Sequence, residues 1–180
     1  MNRRTWTVLG MTAGLVMWSG SGIAEEQCVA DYVLAPDKTS LSILFDDMTI
    51  TAAGKRSCAI DVDLGLPEGT SLGVYRVDYR GFANLARKEE ATLAVDFALG
   101  PKGNGRSFKR TVRGAATDEF VFTENIGAGL MKRVGCGTEA RLSGLVSLEL
   151  AGGSEAMVTL DSGDGTTRRG LEYKFNLKKC

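Results

Sequence analysis

Hydrophobic and polar residues alternate along most of this chain. Leu41, Ile43 and Phe45 share one side of an extended segment. Cys58, Ile60, Val62, Leu64 and Leu66 share one side of another, and Ala91, Leu93, Val95, Phe97 and Leu99 repeat the pattern. Leu72 to Tyr79 is rich in Val and Tyr, Phe108 and Val112 bracket a basic run, and Phe120 and Phe122 mark a short segment. Ala140, Leu142, Gly144, Val146, Leu148 and Leu150 alternate again, then Val158 and Leu160, then Leu171 to Leu177. A period of two places successive side chains on opposite faces, as in a strand with one buried side. About nine such segments, separated by Gly, Asp, Asn and Pro, predict an all-β fold: an antiparallel, jelly-roll-like β-sandwich. Helical periodicity is confined to Asn84–Ala91, enough for a turn or two. Gly100 to Arg106 (GPKGNGR) reads as a flexible loop, and Asp161 to Gly165 (DSGDG) as the hairpin turn between the last two strands.

The first residues break the pattern. Arg3 and Arg4 precede an uncharged, mostly apolar run to Trp18, and Gly22 and Ala24 supply small residues at a cleavage site. Residues 1–24 are therefore expected to be a secretory signal peptide, and 25–180 a single secreted β domain. The apolar run falls short of the roughly 20 residues needed to span a bilayer, and no second run follows. The segment before Cys28 does not fit a lipid-anchor site.

Composition narrows the chemistry. The 180 residues include no histidine, and both tryptophans, Trp6 and Trp18, lie in the signal. Without His, a Ser-His-Asp or Cys-His catalytic arrangement and the His-containing zinc sites are excluded. A sugar-stacking platform would have to use Tyr or Phe. With 22 basic and 22 acidic residues, the balance points neither to specific nucleic-acid binding nor to a membrane surface. The four cysteines, Cys28, Cys58, Cys136 and Cys180, are even in number and far apart, which favours two disulfides over a metal site. Three pairings are open. Cys58 opens an early strand and Cys180 closes the last, and antiparallel neighbours would join those ends. The expected pairing is Cys58–Cys180 with Cys28–Cys136.

Candidate chemistry is sparse. Asp61 and Asp63, two apart on one strand, lie roughly 7 Å from each other, within reach of a glycosidase-type pair. They alternate with Ile60, Val62 and Leu64, so both face water, where neither has a reason to hold a proton. Asp46 and Asp47 are adjacent and point to opposite faces. Asp161 and Asp164 sit in a turn whose alternate positions are glycine, which does not complete a calcium loop. The segment from Lys102 to Arg113 is basic: Lys102, Arg106, Lys109, Arg110 and Arg113 are uninterrupted by acids, with Phe108 among them. It is the first choice for a surface that takes an anionic ligand. Arg168-Arg169 and Lys178-Lys179 are smaller clusters. There is no phosphate-cradling glycine loop, no sequon for N-glycosylation and no cofactor motif. The expected function is a non-enzymatic extracellular binding or interaction module, its partner an anionic extracellular polymer or a protein. The alternative is a carboxylate-dependent hydrolase acting on an extracellular polymer.

Several pieces in order resemble a known family: LSILFDDMTI, KRSCAIDVDLGLPEG, DYRGFANL, GCG and a terminal strand ending in Cys180. The most specific are Arg56-x-Cys58 with Pro67-x-Gly69, and Arg80-Gly81 followed by Leu85. Together they resemble the small secreted four-cysteine family of the domain of unknown function 4360 (DUF4360), from Cys28 to Cys180. The chain departs from the family's pattern at Gln27-Cys28-Val29, at Gly135 before Cys136 and at Leu177, but keeps every cysteine. The resemblance implies secretion, a four-cysteine frame and a compact β domain. It supplies no catalytic residues.

Overall fold

A computed structural model describes residues 28, 30–45, 47–100, 104–127, 130–160 and 170–180. The predicted signal segment, Asp46, Lys102, Asp161, Asp164, Arg168 and Arg169 lie outside the described residues. Twelve strands form: β1 (Ala30–Leu34), β2 (Ser40–Phe45), β3 (Thr49–Ile50), β4 (Gly54–Asp63), β5 (Thr70–Leu85), β6 (Glu90–Leu99), β7 (Gly105–Arg113), β8 (Ala116–Asn125), β9 (Val134–Gly135), β10 (Arg141–Ala151), β11 (Met157–Thr159) and β12 (Leu171–Lys179). Nine are the predicted ones. β1, β3 and β9 are additional; two of them are two residues long, and β1 is mostly exposed, so none carries a readable alternation.

All pairings are antiparallel and fall into two sheets. The eight long strands run β2-β12-β5-β8 in sheet A and β4-β10-β6-β7 in sheet B. That order is a jelly roll, two Greek keys folded face to face. The inward residues of both sheets form one core, in which Leu41, Leu72, Val77, Leu142, Val146 and Tyr173 are fully buried. Burying such side chains is the main term holding the sheets together.

β5 is long enough to change neighbours along its length. Its first half pairs with β12 on one side, and its second half pairs with β11 in the same lane. Thr159 lies opposite Phe82, and Leu171 opposite Tyr79. β11 and β12 thus continue one another along β5 and do not pair as a hairpin, contrary to the expectation for the DSGDG segment. Gly81 sits at this junction. A Cβ there would run into the Thr159 carbonyl and the Phe120 ring. Phe120 is the cross-strand partner of Gly81, so its ring fills the space that glycine leaves. The predicted helical turn at Asn84–Ala91 is instead a tight β5–β6 connection. Glu89 closes it, accepting hydrogen bonds from the Ala86 and Gly153 N–H groups, both at 2.7 Å.

The four cysteines form two disulfides, but not in the expected pairing. Cys28 bonds Cys58 and Cys136 bonds Cys180, with Cα separations of 4.9 and 5.7 Å. The expectation failed because β4 and β12 are not antiparallel neighbours: β4 pairs with β10, whereas β12 pairs with β2 and β5. Cys58 does face the core, as its alternation predicts, and is fully buried. Cys136 and Cys180 meet at the start of β5, where the Cys136 N–H donates to the Thr70 carbonyl and the Cys180 N–H to that of Gly69. Gly135, Cys136 and Gly137 all have positive φ (96°, 56° and 86°), which turns the chain tightly enough to aim Cys136 at its partner.

Candidate functional site

The outer face of sheet B follows from register, because directly paired residues share a face. Asp61, Ser143, Ala98 and Gly105 form one row across β4, β10, β6 and β7. Ala59, Leu145, Asp96 and Ser107 form the next, and Ser57, Ser147, Ala94 and Lys109 the third. Most of these side chains are short. The floor they make is an open, shallow depression of about 470 Å³ over β10, β6 and β7. Asp96, Ser107, Ser143 and Leu145 are exposed within it, and Leu145 keeps 45% of its surface. Beside it the Ser57 and Ser147 hydroxyls bond to each other at 2.9 Å, which lets two buried polar groups sit within the strands without cost.

The acids nominated from the sequence behave as a solvated strand face. Asp61 is clamped by the Arg141 guanidinium, which donates from both Nε and Nη2, and these bonds hold its carboxyl below the usual carboxylate range. A carboxyl stabilised as the anion is unsuited to donate a proton. Asp63 accepts the Gly65 N–H at 2.9 Å and so shapes the β4–β5 turn. Asp47 pairs with Arg56. Among the described residues no group of three or more His, Cys, Asp or Glu side chains is arranged to hold a metal.

The basic segment is divided by the strand that carries it. Arg106 and Arg110 pair with Phe97 and Leu93, so they share the inner face with Phe108. Arg110 reaches across the edge of the sandwich to Glu124 on β8, Nε to Oε1 at 2.7 Å and Nη2 to Oε2 at 2.8 Å. The Glu124 side chain is only 8% exposed, so this arginine neutralises a nearly buried charge. Lys109 and Arg113 point outward, and Arg113 lies 3.5 Å from Glu90. Lys178, from the smaller terminal cluster, borders a separate cavity of about 210 Å³ with Tyr75 and Arg133. A third cleft, about 410 Å³, lies between the turn at Pro67 and the turn at Cys136.

Sequence reasoning missed Asp96, Ser107, Ser143 and Leu145. The available signal was the small size of the wet-side residues, Ala94, Asp96 and Ala98 on one strand and Ser143, Leu145 and Ser147 on another.

The profile of a domain of unknown function, DUF4360, matches residues 14–180. The chain belongs to the DUF4360 family. It also resembles a protein of Arthroderma benhamiae described as an uncharacterized secreted protein, with 22% identity over 113 residues, 59% of this chain and 45% of that protein. This DUF4360 chain thus spans under half the length of that relative. A solved structure, TmCBM61 in complex with β-1,4-galactotriose, aligns with 86% of this chain and 88% of its own at 16% identity and a TM-score of 0.40. Paired cysteines throughout, together with a relative described as secreted, point to a location outside the cytoplasm. Among the described residues no helix is long and apolar enough to cross a membrane.

Proposed function

We propose that this DUF4360 protein is a non-enzymatic extracellular binding module that holds a polymer across the outer face of sheet B. One observation carries the reading. The depression over β10, β6 and β7 is the largest of the three cavities described above, and it is floored by short side chains on a rigid sheet. Binding sites built on strands hold their geometry without ordering a loop first. A shallow trough suits a chain that lies along it, rather than a small molecule that must be enclosed. A carboxylate-dependent hydrolase finds less support, because the Asp61 carboxyl is committed to Arg141 and that of Asp63 to the Gly65 N–H.

Blocking the floor tests the reading. Ser143→Trp or Ser107→Trp places a large ring in the depression on an exposed position, where the fold can absorb it. Retention of the wild type on insoluble extracellular polymers should fall to background in both variants while their melting temperatures stay close to that of the wild type. Undiminished retention by both folded variants would place the ligand elsewhere.

A further inference from the structure

The charges in the depression say what kind of polymer it takes. Asp96 is the one acid lining it, and no ion pair to Asp96 occurs among the described residues. Its cross-strand neighbours are Leu145 on β10 and Ser107 on β7, and Ser143 is one step away along β10. Arg141, the nearest cation along β10, is already spent on Asp61. Arg106 also lines the depression, from the inner-face side of β7, and its Nη1 donates to the Gly105 carbonyl at 3.2 Å. The site therefore presents one carboxylate and one guanidinium with no net charge, two hydroxyls and a patch of apolar surface from Leu145 and Ala98.

An ionised carboxylate is acceptor-only, with two oxygens and about four lone-pair sites. It is matched by groups that donate in adjacent pairs, and neighbouring hydroxyls on a sugar ring do so. Serine hydroxyls both donate and accept, so Ser107 and Ser143 can follow whichever orientation those hydroxyls take. The C–H face of a sugar ring would lie on Leu145. A polyanion would meet the Asp96 carboxylate and a polycation the Arg106 guanidinium, and like charge is penalised. A protein partner would need a buried aromatic or large aliphatic anchor. Leu145 is the only large hydrophobic side chain exposed on this face among the described residues.

Resting on the proposed binding face, we infer that its ligand is an uncharged, hydroxyl-rich polysaccharide whose adjacent hydroxyls donate to Asp96. This narrows the partner from the anionic polymer that the basic run favoured, because the sheet divides that run between its two faces.

The test is retention on a panel of uncharged polysaccharides (cellulose, chitin, mannan, starch and galactan), with polygalacturonate as the anionic arm and chitosan as the cationic arm. The wild type should bind at least one uncharged member more tightly than either charged one. Asp96→Ala should weaken that binding about tenfold or more, the loss of a charge-assisted pair of hydrogen bonds. Asp96→Asn, which keeps one acceptor, should fall between, and Lys178→Ala, beside a separate cavity, should change nothing. Preference for polygalacturonate or chitosan overturns the inference, as does full binding by Asp96→Ala. If Asp96→Ala binds normally while Ser143→Trp does not, the face stands and Asp96 is not its recognition group. If folded Ser143→Trp and Ser107→Trp both bind normally, or the wild type binds no member of the panel, the face and the inference fall together.

Discussion

The two outer faces of the sandwich obey the same alternation, yet they spend their polar groups differently. On sheet A they are spent on one another. Asp78, 5% exposed, takes Arg76 Nε at 2.8 Å and the Thr123 hydroxyl at 2.6 Å. Glu172 pairs with Lys174 at 2.9 Å. Arg133 folds flat over Gly73, donating to the Ser71 hydroxyl at 3.1 Å, to the carbonyls of Ser71 and Asn176 at 2.7 and 3.0 Å, and to the Asn176 side chain. On sheet B the rim is paired, by Asp61 with Arg141 and by Glu90 with Arg113, but the middle is low and holds an uncommitted carboxylate. A face whose hydrogen-bonding capacity is already used adds to stability. A face that keeps some in reserve is equipped to bind.

The largest effect should come from the anchor at the start of β5 in sheet A. Removing the Cys136–Cys180 bond with paired Cys→Ser changes should cost about 2–5 kcal/mol, read from denaturant unfolding. A much smaller loss would mean that the backbone bonds at Gly69 and Thr70 hold this corner unaided. Next, Gly81→Val forces a side chain against the Thr159 carbonyl and the Phe120 ring and should cost about 1–3 kcal/mol or more. A neutral outcome would show that β11 can move away from β5 freely. Arg133→Ala, which strips several hydrogen bonds from sheet A, should cost about 1–2 kcal/mol. Its counterpart on the other face, Ser107→Ala, should stay within about 0.5 kcal/mol. If the two are equal, the contrast between the faces is wrong.

The smallest effect is in acid. Hydrogen bonds from Arg141 hold the Asp61 carboxyl below its usual range, and the Gly153 and Ala86 N–H groups do the same for Glu89. Groups with a lowered folded-state pKa stabilise fully above their unfolded pKa and lose that contribution as the pH falls through the folded value. Melting temperature should therefore drop below roughly pH 4. Asp61→Asn and Glu89→Gln should each flatten that drop, and a slope identical to the wild type would show that these bonds do not hold in solution.

Period-two alternation is local, and the features that depend on it alone could be read from the sequence: nine of the twelve strands, the inward Cys58 and the solvated Asp61 and Asp63. The disulfide pairing depends on which strands are neighbours. No local pattern carries that, so Cys58 was matched to a strand that does not pair with its own. Arg141 is 80 residues from Asp61, and its clamp had no local trace. The basic run is a different case. The same alternation that places Phe108 inward also places Arg106 and Arg110 inward, so the run divides between two faces. The Arg80-Gly81 piece of the family resemblance had no visible reason in the sequence. Its reason is the meeting of β5, β11 and Phe120 at a point with no room for a side chain.

The most direct measurement is a titration of 15N-labelled protein with a short oligosaccharide of whichever polymer it binds, followed by amide chemical shifts. The binding-face account predicts shifts concentrated on Asp96, Ser107, Ser143 and Leu145, with sheet A undisturbed. Shifts centred instead on Arg76, Asp78 and Arg80, or around Tyr75 and Arg133, would contradict it.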